Sequence, residues 1–160
     1  MRATLTRAMD MDMSVYQYYV LVIYLLSDVE ITIRGNKVLL NKGVYLYVGS
    51  CKGSGGVWPR IIRHLESSKK TRWHIDQLTT NKFSRIIGVF VIKGNDVDYE
   101  SLLSNEFSKI FRYIPRFGSS DKLSDPSHLF ICNHIIDKCL DNVVKVFEDK
   151  DVDYIWIHNA

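Results

Sequence analysis

GVYLYVGSCKGSGGVWPRIIRHLESSKKTRWHID, residues Gly43–Asp76, is the stretch from which the rest of the chain is best read. Gly43 to Val48 reads as a short strand. Tyr45 and Tyr47 stand two apart on it and therefore share a face. The glycine-rich SCKGSGG then leads into a helix over Val57 to Ser67. Pro59 suits its first turn, and Ile61, Ile62 and Leu65 form its apolar face. Arg60 and His64 are four apart and lie on one side of that helix. Phenols, a guanidinium and an imidazole beside a basic segment point to chemistry on a phosphodiester.

The chain of 160 residues is the size of one domain, and 46% hydrophobic residues suffice for one core. Net charge is only +3, so its distribution matters more than its total. Five Lys/Arg and a single acid, Glu66, lie between Arg60 and Arg72, whereas Asp137 to Asp153 is mostly acidic. Cys51, Cys132 and Cys139 are odd in number and lack CxxC spacing, which predicts reduced thiols in a cytoplasmic protein. The longest apolar run, Val20 to Leu26, is too short to span a bilayer, so no membrane partner is expected. The residues before Ser14 have no hydrophobic signal region and read as a frayed leader, residues 1–13, or as an overlong start.

Tyr18 to Leu26 is aromatic and β-branched on both faces, as in a buried strand. Glu30–Arg34 and Lys37–Leu40 alternate around Gly35-Asn36 and predict a hairpin. Arg85 to Ile92 is a second buried-type strand. A helix follows from Asp98 or Tyr99, with Leu102, Leu103, Phe107, Ile110 and Phe111 as its apolar face and Pro115 beyond its end. His128–Cys132 and Tyr154–His158 read as short strands flanking a helix over Ile135–Glu148. The element order predicts one α+β domain with a small mixed or antiparallel sheet.

Each chemical feature also has a plainer reading. Paired tyrosines are commonly core residues with tethered hydroxyls. Arg63, Lys69, Lys70 and Arg72 read as a solvated basic face that at most grips phosphate backbone without reading sequence. The glycine-rich loop lacks the GK[ST] of a P-loop. His74, Asp76 and His128 offer a metal cluster with His64. The expectation for WHID (Trp73–Asp76) is instead local hydrogen bonding, with Trp73 packed in the core.

YVGS, the glycine-rich loop and R-x-x-x-H together resemble the second half of the GIY-YIG nuclease motif. KK-x-x-WHID (Lys69–Asp76), FGSSD (Phe117–Asp121) and SHLF (Ser127–Phe130) resemble an uncharacterised, mainly archaeal branch of that superfamily. The resemblance implies a small three-stranded, largely antiparallel sheet flanked by helices, a nuclease-like domain over residues 14–132, and a C-terminal extension, 133–160, packed on it. It also implies DNA phosphodiester hydrolysis with one divalent metal, Mg²⁺ or Mn²⁺. Tyr47 matches the tyrosine of the YIG element, Arg60 the helix arginine and His64 the residue one turn later. Tyr19 fits the GIY tyrosine, although Gln17 stands where glycine is expected. Glu100 matches the metal carboxylate, with Glu106 the alternative. The branch carries cysteines between its FGSSD and SHLF blocks, where this chain has Lys122–Pro126, KLSDP.

On that resemblance Tyr47 or Tyr19 is the general base, Arg60 stabilises the transition state and His64 positions water or a tyrosine hydroxyl. Two other classes stay open: an inactive nucleic-acid-binding module, and a protein-interaction domain using the acidic C-terminal helix. The residues do not decide between DNA and RNA.

Overall fold

The computed structural model describes residues 2–159. In chain order it has β1 (Arg2–Thr4), α1 (Leu5–Met9), β2 (Tyr16–Leu25), β3 (Val29–Ile33), β4 (Asn36–Leu40) and β5 (Gly43–Ser50). These are followed by α2 (Trp58–Leu65), α3 (Asp76–Thr79), β6 (Ser84–Lys93) and α4 (Tyr99–Ile110). β7 (Arg112–Tyr113), β8 (Leu129–Cys132), α5 (Ile136–Asp149) and β9 (Tyr154–His158) complete it.

β2 is apolar on both faces because it is the middle strand of a sheet that is covered on both sides. The sheet has seven strands in the order β1-β9-β6-β2-β5-β8-β7, and every pairing except β1 with β9 is antiparallel. Its two faces sort by the period-two rule. Tyr19, Leu21 and Ile23 of β2 join Val57, Ile61, Ile75 and Leu78, so α2 and α3 cover that face. The β3–β4 hairpin packs there too, through Val29, Ile31 and Leu40. Tyr18, Val20 and Val22 face the other way, onto Leu103 and Phe107 of α4 and Val143 and Phe147 of α5. This is the expected α+β architecture with a mostly antiparallel sheet flanked by helices.

The expectations fail at three places. The sheet has seven strands rather than three, because β1 and β9 from the two ends of the chain and β7 and β8 within residues 14–132 add to it. In place of a frayed leader, Arg2–Thr4 pairs with Trp156–His158, and Ala3, Ala8 and Met13 are buried in the core. Within the expected extension, β9 pairs with β6 and α5 packs beside α4. Met1 and Ala160, the ends of those two segments, lie outside the described residues. Third, Cys132 and Cys139 are joined in a disulfide between β8 and α5, and only Cys51 is free. The inference of a reducing compartment from unpaired thiols therefore loses its basis. No helix among the described residues is long and apolar enough to cross a membrane.

Candidate active site

β8 pairs with β5 only as far as Tyr47↔Leu129. Beyond that register the Gly49–Ser50 end of β5 is left open, and a cleft of about 750 Å³ lies there. Tyr19, Tyr47, Arg60 and Glu100, which are up to 81 residues apart in sequence, all line it. Lys52, Arg72 and Lys122 line it as well, against the acids Glu100 and Asp121, so its walls are predominantly cationic.

Tyr19 and Tyr47 share a face of the sheet, because Leu21 stands opposite Tyr47 and Tyr19 opposite Gly49. The Tyr19 ring lies directly on Gly49: a β-carbon there would overlap its Cζ and hydroxyl. The glycine of Tyr-Val-Gly thus gives the phenol room to cross β5 and reach α2. There the Tyr19 hydroxyl lies 2.7 Å from Nε2 of His64. His64 is only 1% exposed, and its Nδ1 has no hydrogen-bond partner. Burial, reinforced by Lys69, lowers the His64 pKa to about 4, so the ring is neutral at neutral pH. Both phenols are shifted well upward, first by burial. For Tyr19 the next contribution is Tyr47, so a phenolate at one opposes a phenolate at the other. The Arg60 guanidinium pulls both the other way.

Trp73 is not in the core. It is 39% exposed, and its ring lies 5.0 Å from the Arg60 guanidinium carbon and 4.8 Å from that of Arg63. The rest of the block does form local hydrogen bonds. Oδ2 of buried Asp76 accepts from the Arg72 and Trp73 backbone amides and from Arg63, the last at 2.6 Å. Lys69, with a side chain only 3% exposed, donates to the Arg63 carbonyl at 2.6 Å. Arg63 and Lys69 therefore clamp α2 to the α3 entry rather than presenting charge to a polyanion. Lys70 and Arg72 are exposed, and of the four only Arg72 reaches the cleft.

Glu100 sits in the first turn of α4, where the Asp98 side chain caps the helix by accepting from Ser101 N. Glu106, the alternative carboxylate, pairs with Lys109 and Lys150 and does not line the cleft. The loop ahead of β8 closes the remaining side. Ser104 of α4 donates to the Ser127 carbonyl at 2.6 Å, and the Arg116 guanidinium donates to the carbonyls of Leu123 and Asp125. The loop so held carries Lys122, whose ammonium is 2.7 Å from Glu100 and 3.1 Å from Asp98.

Glu100, Asp125 and His128 each offer a ligand atom within 4.8 Å of the others, the one such group among the described residues. This set could hold a metal ion, and its oxygen and nitrogen donors fit a divalent cation. The cluster of His64, His74, Asp76 and His128, set aside in favour of local hydrogen bonding, does not form: His64 is engaged by Tyr19 and Asp76 by Arg63, while His128 Nε2 lies 2.8 Å from Asp125. Asp125 and Lys122 were missed. The available signal was the Asp-Pro-Ser-His spacing, which brings an acid and an imidazole together across a proline turn.

The model of a domain of unknown function, DUF123, matches residues 18–150. The chain belongs to this family. The match takes in both walls of the cleft, from Tyr19 on β2 to His128 ahead of β8. Comparison with curated proteins and with solved structures gives no match.

Proposed function

We propose that the protein is a GIY-YIG-type nuclease that hydrolyses phosphodiester bonds in DNA with a divalent metal, Mg²⁺ or Mn²⁺. The observation that supports this reading best is the meeting of Tyr19, Tyr47, Arg60 and Glu100 in one cationic cleft. Glu100 would hold the metal, which supplies Lewis-acid stabilisation of the phosphate oxygens and the departing alkoxide. Arg60, held against Trp73, meets the negative charge that grows on the phosphoryl oxygens. Tyr47, facing the cleft, takes a proton from the attacking water. The hydrogen bond between the Tyr19 hydroxyl and neutral His64 fixes that phenol beside Tyr47. Lys52 and Arg72 steer the phosphate backbone into the cleft.

The second reading, a binding module without catalysis, draws support from Lys122, whose ammonium already neutralises Glu100. Plasmid and branched DNA incubated with and without Mn²⁺ separate the two. The nuclease reading expects metal-dependent nicking that falls on the order of a hundredfold or more in Arg60→Ala and Glu100→Gln and persists in Glu106→Gln. Salt-sensitive binding with no nicking would establish the module instead.

A further inference from the structure

We infer that Asp125 and His128 complete, with Glu100, a three-residue site for a divalent transition-metal ion, and that Lys122 is the internal cation it displaces. The inference rests on the hydrolase reading only in taking Glu100 as a metal ligand. It adds two ligands, a metal preference and a competitor.

Three independent features of the loop before β8 carry it. Asp125 is fully buried, yet its carboxylate has one close partner, His128 at 2.8 Å, and a weak one, the Ser124 hydroxyl at 3.4 Å. Among the described residues no Lys or Arg lies within ion-pair distance of it. Arg116, the nearby guanidinium, donates to the Asp125 backbone carbonyl instead. A buried carboxylate neutralised by so little calls for a cation.

The spacing suits one ion. Donors at about 2.1 Å from an ion and at right angles to each other are about 3 Å apart. Asp125 and His128 already have that separation at 2.8 Å, and a Glu100 oxygen lies within 4.8 Å of both.

The third feature is Lys122, which bridges Glu100 at 2.7 Å and Asp98 at 3.1 Å. An ammonium and a dication cannot share the Glu100 carboxylate without strong repulsion. Asp98 gives the displaced ammonium a second anchor within reach, so exchange needs only side-chain motion. Metal affinity is then set by a competition built into the chain.

An imidazole nitrogen among carboxylates favours Mn²⁺, Co²⁺ or Zn²⁺ over Mg²⁺. Titration of the full chain with Mn²⁺ and with Mg²⁺, followed calorimetrically, should show Mn²⁺ bound at least tenfold more tightly. His128→Ala should abolish that preference, and Lys122→Met should tighten Mn²⁺ binding about tenfold. Pulsed EPR of the Mn²⁺-loaded wild-type protein should show nitrogen hyperfine coupling, a readout that depends on no variant folding. Absence of that coupling, or equal Mn²⁺ and Mg²⁺ affinity, overturns the inference. Nicking that persists without nitrogen coupling keeps the nuclease and removes this site. Nitrogen coupling without nicking keeps the site and removes the nuclease.

Discussion

The Tyr19 hydroxyl and Nε2 of His64 lie 2.7 Å apart, although 45 residues separate them in the chain. The pair ties the middle strand of the sheet to the helix that carries Arg60, and it exists only because Gly49 leaves the ring room to pass. It is also a buried polar contact that depends on charge state: a protonated imidazole there would face the cations Lys69, Arg60 and Arg63.

That dependence sets a pH response. The folded-state pKa of His64, about 4, lies below its ordinary value of 6.5, so the unfolded chain binds the extra proton first. Stability from this group is complete above about pH 6.5 and is lost as pH falls toward 4, by about 3 kcal/mol at most. Urea denaturation at a series of pH values should show this slope in the wild type and a flatter one in His64→Gln.

Gly49→Ala places a methyl group where the Tyr19 ring lies. The ring must swing away from His64, since the backbone of β5 is held by β2. The expected loss is about 1–3 kcal/mol, as for other overpacked sites, together with most of any activity. Denaturation midpoints and nicking assays on the same preparation measure both.

The strands and helices were legible because burial on one face or both leaves a plain periodicity, as in Val20–Ile23 and in Leu103 with Phe107. The site was legible where local sequence fixes geometry: Tyr47 with Gly49, and Arg60 one turn before His64. It was illegible where a partner is remote. Arg2–Thr4 is three residues long, and its partner, Trp156–His158, lies at the far end of the chain. Nothing periodic marks it. Trp73 was misplaced because an indole reads as core unless the two guanidinium groups beside it are known. The charges of Arg63 and Lys69 look free in sequence, since their acid, Asp76, follows only after a turn.

Trp73 packs against the Arg60 guanidinium, so on the proposed nuclease reading it is a positioning residue for that group. Trp73→Ala should lower kcat about tenfold with little change in fold, whereas Trp73→Phe should recover most of it. Arg60→Lys should stay as impaired as Arg60→Ala, because an ammonium lacks the planar two-pronged donor set. Single-turnover nicking kinetics with matched circular dichroism spectra test the series.

The Cys132–Cys139 bond closes a loop with a sequence separation of seven and ties β8 to α5. By loop-closure entropy such a short loop contributes about 2 kcal/mol. Reductant should lower the wild-type unfolding free energy by that amount and leave the Cys132→Ser/Cys139→Ser double variant unchanged. The cleft lies beyond the other end of β8, so nicking under conditions where both proteins are folded should be similar.

The two phenols make different predictions as general base. Tyr19 is sealed at 1% exposure with its hydroxyl committed to His64, whereas Tyr47 is half-buried and its hydroxyl makes no hydrogen bond among the described residues. Water can therefore reach Tyr47. Burial and then Glu100 push the Tyr47 pKa above its ordinary value of 10, so at neutral pH only a small fraction is phenolate. A rate that follows this fraction rises about tenfold per pH unit, without a plateau, from about pH 6 to 9. Tyr47→Phe should remove that slope and cost on the order of a hundredfold or more in rate. Tyr19→Phe should keep the slope and lose about tenfold, since the ring still packs on Gly49 while His64 loses its partner. Should Tyr19→Phe instead abolish the pH dependence while Tyr47→Phe retains it, the proton passes through the sealed phenol and His64 becomes its acceptor.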